Sequence, residues 1–166
     1  AGAAAALNEG LTWQEIILGL QHATSQLRLV AVKTRQGALI LDDTYNASPE
    51  SMLAALNLLN ELPGRKIAVL GGMNELGQYE QLGHNKVGIR AAEVVDKLIA
   101  FQEKAQLIAT AAQKAGLPGE FIEIIDDENE VIQALNLTLR PGDVVLVKGA
   151  HSLRMDRIVQ AMEVEG

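Results

Sequence analysis

With 48% hydrophobic and 21% charged positions over 166 residues, the chain suits one globular domain with a real core, with room for a fragment of a neighbour, and not a disordered segment. A net charge of −7 and 3% aromatic residues argue against general affinity for nucleic acid, which needs basic surface and stacking rings. The absence of cysteine excludes disulfides, thiolate metal sites and thiol nucleophiles, and no apolar run approaches the ~20 residues of a membrane span, so a soluble, cytoplasmic protein is expected.

In chain order, residues 2–8 and 12–22 read as two short helices, the second capped by Thr12 with Glu15 three residues on. Their apolar face of Trp13, Ile16, Ile17 and Leu20 has no obvious place in the unit that follows, so they read as the tail of a preceding domain, the alternative being an N-terminal extension packed on the sheet edge. Residues 29–33 and 38–41 are β-rich and joined by Thr34-Arg35-Gln36-Gly37, a hairpin-like entry. Ser48 and Pro49 then open a helix with Met52, Leu53, Leu56 and Leu59 on one face, stopped at Pro63-Gly64. Strands at 66–70, 97–101, 121–125 and 144–147 alternate with helices at 81–95, 104–115, 127–139 and 153–162. Repeated strand and helix predict an α/β, Rossmann-like, mostly parallel sheet with helices on both faces.

Two strand exits carry the chemistry. Leu39-Ile40-Leu41 runs into Asp42 and Asp43 and a polar turn, while Val144-Val145-Leu146-Val147 delivers Lys148 before Gly149, Ala150 and His151. In an open parallel sheet such exits share one edge, and ligands bind in the crevice there. A receiver domain would need a phosphoacceptor aspartate after a central strand, where Gly71-Gly72-Met73 and Phe101-Gln102 stand instead. A dinucleotide fold would need glycines in the first turn, which reads Thr-Tyr-Asn-Ala-Ser-Pro. Gly71 and Gly72 are expected to relieve crowding where a ligand or another domain comes close. A non-catalytic nucleotide-binding or interaction domain stays open on these residues alone.

Three segments carry a family resemblance: Asp42 to Met52, Leu70 to Gly77 with His84 following, and Val147 to Asp156. In wording, order and spacing they resemble the C-terminal domain of Mur ligases, over roughly residues 28–162. The resemblance implies residues 1–27 as closing helices of a central ATPase domain and 28–166 as the C-terminal, substrate-binding domain. The Tyr-Asn-Ala-Ser-Pro wording resembles members that add D-alanyl-D-alanine to UDP-N-acetylmuramoyl-tripeptide in peptidoglycan precursor synthesis. Another Mur-type ligase, or a folylpolyglutamate-synthase-like relative, is the neighbouring alternative.

By that resemblance the tripeptide carboxylate attacks the γ-phosphate of ATP, and the dipeptide amine attacks the resulting acyl phosphate. Arg28 would meet phosphate oxygens, Asp43 or its neighbour Asp42 would accept from the ribose hydroxyls, and Tyr45, Asn46 and Ser48 would line the nucleotide. Lys148, the backbone amides of Gly149 and Ala150, and the start of the final helix would hold the dipeptide carboxylate beside His151. Asn74 and His84 would orient the dipeptide. ATP and Mg2+ would rest mainly on the central domain, whose Gly-Lys-Thr or Gly-Lys-Ser loop does not occur in these 166 residues. The chain alone is therefore expected to be inactive, with no catalytic residue or metal ligand of its own. It departs from the family pattern at Gly72, Ala150, His151 and Asp156, where aspartate, serine, arginine or asparagine, and glutamate are usual.

Overall fold

The computed structural model describes residues 29–164 together with Thr12 and Glu15. The helices expected at 2–8 and 12–22, the boundary at residue 27 and Arg28 otherwise lie outside the described residues. At the expected cap, the Thr12 amide donates to Glu15 Oε2 at 2.8 Å and the Glu15 amide to Thr12 Oγ1 at 3.3 Å, the reciprocal pairing of a capping box.

Six strands form one sheet: β1 (Val30–Lys33), β2 (Leu39–Asp43), β3 (Lys66–Gly71), β4 (Lys97–Phe101), β5 (Ile122–Ile125) and β6 (Val144–Lys148). Their spatial order is β1-β2-β6-β3-β4-β5. β1 pairs antiparallel with β2 through the Thr34–Gly37 turn, and every other pairing is parallel. Gly37 takes φ 79° there, a conformation that favours glycine. The helices are α1 (Pro49–Glu61), α2 (Glu80–Val94), α3 (Gln106–Lys114), α4 (Glu128–Thr138) and α5 (Asp156–Met162).

Side chains of a strand alternate between faces, and the two cores follow that alternation. Leu39, Leu41, Ala68, Leu70, Val144 and Leu146 join Met52, Leu56, Val87 and Ile108 of α1, α2 and α3 on one face. Ile40, Ile67, Val69, Val145 and Val147 join Val131, Leu135, Ile158 and Met162 of α4 and α5 on the other. Strands covered on both faces read as continuous apolar runs, which is why 144–147 shows no polar alternation. Among the described residues no helix is long and apolar enough to cross a membrane.

Three boundaries depart from the sequence reading by more than one residue. β2 runs through Asp42 and Asp43 instead of ending at Leu41, because Val30 pairs with Asp42 on one side and Lys148 with Asp43 on the other. Residues 103–105 form a 3-10 turn ahead of α3. The final helix starts at Asp156 and not at residue 153, since Arg154 takes φ 51° and separates it from the 3-10 turn His151–Leu153.

Candidate functional site

The last strand in sequence, β6, inserts between β2 and β3, so β2 and β3 diverge around it and the three exits stand side by side. The parallel register makes Asp43 the Cα partner of Lys148, and Lys148 the partner of Leu70. The acid and the lysine, 105 positions apart, therefore meet: Lys148 Nζ donates to Asp43 Oδ2 at 2.6 Å and to the Asn46 carbonyl at 2.9 Å. Both residues are buried, at 2% and 1% exposure. Burial pulls the Lys148 ammonium below the usual lysine range, and the Asp43 charge and hydrogen bond oppose that shift without cancelling it.

Above this pair lies an open cleft of about 360 Å³ lined by Asp43, Tyr45, Asn46, Ser48, Glu50, Ser51 and Lys148. The sequence reading divided Asp43 and Lys148 between two ligands; the structure joins them as one neutral unit under a single cleft. Lys148 lines that cleft with its ammonium committed to Asp43 and Asn46. Its link to the Asn46 carbonyl fixes the 44–48 turn over the strand end. Ser48 lines the cleft and also caps α1, accepting from the Ser51 amide at 3.2 Å while its own amide donates to Ser51 Oγ at 2.9 Å. Pro49 at the first helical position costs no hydrogen bond there.

Asp42 points away from Asp43, as neighbours in a strand must. Its Oδ1 accepts from the Thr44 amide at 3.1 Å and from Thr44 Oγ1 at 2.7 Å. With Thr44, Tyr45, His151 and Asp156 it lines a second, smaller cleft of about 210 Å³. Tyr45 stands between the two clefts, its ring edge-on to His151 with centroids 6.0 Å apart. Asp156 is held by Arg154, whose Nε and Nη2 donate to its two oxygens at 3.0 Å each; these hydrogen bonds keep its carboxyl below the usual range.

The second and third motifs close on each other through glycines. A Cβ on Gly149 would come 2.4 Å from Met155 Sδ and 2.9 Å from Gly71 Cα, and one on Gly71 would come 2.5 Å from Leu153 Cδ1. The crowding at Gly71 and Gly149 comes from this chain's own 153–155 segment and from each other's backbone. At Gly72 the neighbour is Lys104, whose Cβ would lie 2.4 Å from an added one, so a side chain at this position has no room unless Lys104 shifts. The Ala150 amide donates to the Gly72 carbonyl at 3.1 Å, which removes it as a free donor for a carboxylate. The start of the seven-residue α5 is likewise set back from the rim by the His151–Leu153 turn.

Asn74 is exposed on the rim and donates from Nδ2 to Ser152 Oγ at 2.9 Å, joining the two motifs across the sheet edge. His84 is fully buried. Its Nε2 lies 3.0 Å from the Met73 amide and its Nδ1 2.7 Å from the Glu80 carbonyl. Because an amide only donates and a carbonyl only accepts, the ring carries its proton on Nδ1 and both nitrogens are used. His84 therefore positions the β3 exit and does not face the open rim. The sequence reading passed over Thr44, Glu50, Ser51 and Asp156 as lining residues, and Lys104 and Glu80 as a rim ion pair at 2.8 Å. Asp156 stood inside the third motif; Lys104 carried no local signal, being one lysine at a helix start.

A doubly covered, mostly parallel sheet with its acid, lysine and glycine exits gathered at one crevice defines an α/β domain of the class whose ligands bind at such a crevice. Residues 27–151 match the family model described as Mur ligase, glutamate ligase domain, and the chain belongs to the Mur ligase family. It is 36% identical, over 94% of its length, to the UDP-N-acetylmuramoyl-tripeptide–D-alanyl-D-alanine ligase of Synechocystis sp.. Against the Escherichia coli ligase of the same name it is 33% identical over its full length. These alignments take in 34% and 36% of the two relatives, so the chain spans about a third of the length of the curated relatives it matches. The fold is similar to that of the MurF ligase from Thermotoga maritima in complex with ADP, with a TM-score of 0.67 and 32% identity over 79% of this chain and 29% of that one.

Proposed function

We propose that this chain is the acceptor-side domain of an ATP-dependent carboxylate–amine ligase that joins D-alanyl-D-alanine to UDP-N-acetylmuramoyl-tripeptide on the cytoplasmic side of the membrane. The observation that carries the reading is the convergence of all three motifs on one rim, with the Asp43–Lys148 pair at its centre. The two relatives named for this reaction, similar along almost the whole chain, support the choice of acceptor. The family match over residues 27–151 is in keeping with a domain that begins near residue 28; residues 1–27 are assigned to the end of an ATPase domain.

In this reading the tripeptide carboxylate oxygen bonds to the γ-phosphorus of ATP and ADP leaves. The dipeptide amine, having lost a proton, then attacks the acyl carbon and releases phosphate. The chain's part is positioning: bringing two bound reactants into attack geometry removes much of the barrier to their encounter. The cleft over Asp43 supplies an aromatic ring at Tyr45, the Asn46 side chain and hydroxyls at Ser48 and Ser51 for the nucleoside. Asp43, which lines this cleft, is assigned to a ribose hydroxyl. Arg28, at the domain junction, is assigned to phosphate oxygens.

Among the described residues no group of three His, Asp or Glu side chains is gathered that could hold a metal without phosphate, and magnesium on ATP needs only one or two carboxylates beside the phosphates. Its ligands are assigned, with the triphosphate, to the central domain.

The test is phosphate release by the full-length gene product with ATP, magnesium and UDP-N-acetylmuramoyl-tripeptide. Release that requires D-alanyl-D-alanine supports the reading. Release with a different amino acceptor keeps the family and discards the substrate, and none with any acceptor favours a non-catalytic domain.

A further inference from the structure

The rim divides into two halves. Asp43, Tyr45, Asn46 and Lys148 occupy the β2 and β6 exits, whereas the β3 and β4 exits hold a separate polar unit built on Lys104. At the end of β4, Gln102 takes φ 67° and ψ 174°, a conformation ordinarily reserved for glycine. Its amide donates to the Ile125 carbonyl at 3.0 Å and its carbonyl accepts from the Ala105 amide at 3.1 Å, which holds the turn. The turn lays the Lys104 stem across the β3 exit, against the space a side chain on Gly72 would fill. The ammonium then bonds Glu80 Oε2 at 2.8 Å, with the two side chains 43% and 38% exposed. Glu80 is tied through its carbonyl to His84, and His84 to the Met73 amide, so hydrogen bonds link Lys104, Glu80, His84 and Met73 in one chain beside Gly72.

Two other cations on this rim are committed. Lys148 is buried with Asp43 and the Asn46 carbonyl, and the Arg154 fork lies on both oxygens of Asp156. An ammonium has three donors, and the half-exposed Lys104 spends one on Glu80. We propose that Lys104 receives the terminal carboxylate of the amino acceptor and thereby selects acceptors that end in a free carboxylate; this rests on the ligase reading above. The incoming carboxylate joins Glu80 on the ammonium or takes its place.

The experiment compares D-alanyl-D-alanine with D-alanyl-D-alaninamide, which lacks only the terminal charge, as acceptors for the full-length enzyme in the phosphate-release assay. Lys104→Gln is expected to raise KM for the dipeptide about tenfold or more, the effect of a lost charge-assisted hydrogen bond, and to leave KM for ATP and for the amide within twofold. Lys104→Arg should retain most of the dipeptide affinity, and Glu80→Gln, which frees the ammonium, should lower the dipeptide KM. Equal shifts for dipeptide and amide in Lys104→Gln, or an unmoved dipeptide KM, would overturn the assignment while leaving the ligase reading intact. Wild-type enzyme with no dipeptide-dependent release would overturn both.

Discussion

Removing one partner of the Asp43–Lys148 pair tests the centre of the site. Lys148→Met strips away the ammonium and leaves the Asp43 carboxylate, 2% exposed, against a thioether. Asp43→Asn leaves the Lys148 ammonium, 1% exposed, with the Asn46 carbonyl and a neutral amide. Stranding a buried charge typically costs about 3–5 kcal/mol, whereas replacing both members is often close to neutral. Each single variant is therefore expected to lose about 3–5 kcal/mol, and Asp43→Asn/Lys148→Met no more than about 2 kcal/mol, a coupling of at least ~4 kcal/mol. At this chain length that lowers Tm by roughly 6–20 °C for either single variant. Urea denaturation and thermal melts of the 166-residue chain, followed by circular dichroism, supply the full cycle. The pH dependence gives a second check with a definite sign. Burial depresses the folded-state pKa of Lys148, so between that value and the unfolded one of ~10.4 the unfolded chain binds more protons, and stability rises with pH. Asp43→Asn removes the opposing charge and should widen that window downward. Single variants that each cost less than about 1 kcal/mol and add independently, as exposed pairs do, would refute the reasoning.

Gly149→Ala should destabilise by about 1–3 kcal/mol through overpacking, since Met155 can yield but the Gly71 backbone 2.9 Å away cannot; the urea midpoint measures it, and an unchanged midpoint would contradict the crowding. His84→Ala strands the buried Met73 amide and opens a void, for an expected loss of about 2–4 kcal/mol, with faster hydrogen exchange at Met73 as the local readout. At Asp143 burial opposes ionisation, but hydrogen bonds from Arg65 at 2.6 and 3.1 Å and from the Arg140 amide at 2.8 Å hold its carboxyl below the usual range. Its stabilisation is thus complete above the unfolded value of ~3.9 and is lost as pH falls through the lower folded value. Melts from pH 7 down to pH 2.5 should show Asp143→Asn less stable near neutrality and converging with the parent chain in acid.

How much of this was legible from the residues depended on the range of the interactions involved. The helix at Pro49–Glu61 was readable because Ser48, Pro49 and the apolar stripe act within a few residues of one another. The parallel sheet was readable because strand and helix periods alternate. The motifs marked the rim, and the Mur family followed from their order. The end of β2 was misplaced because charged residues do not look like strand; Asp42 and Asp43 stay in the ladder only because β1 and β6 flank them. The start of the last helix was misplaced for the opposite reason, since Leu153 and Arg154 suit a helix locally and the left-handed turn at Arg154 comes with the packing of Met155 over Gly71 and Gly149.

The amino-acid order by itself determined the elements, their apolar faces and the inventory of polar groups delivered to strand ends, since propensity, capping and side-chain period are local properties of a chain. Tertiary structure alone decided that β6 lies between β2 and β3. From that insertion come the Asp43–Lys148 pair, its burial, and the separation of a cleft over β2 and β6 from the Lys104 block at β3 and β4. Two residues 105 positions apart have no local interaction to announce their meeting; the register of a strand laid down last between two earlier ones brings them together, and the exclusion of water there turns an ordinary acid and base into a committed pair.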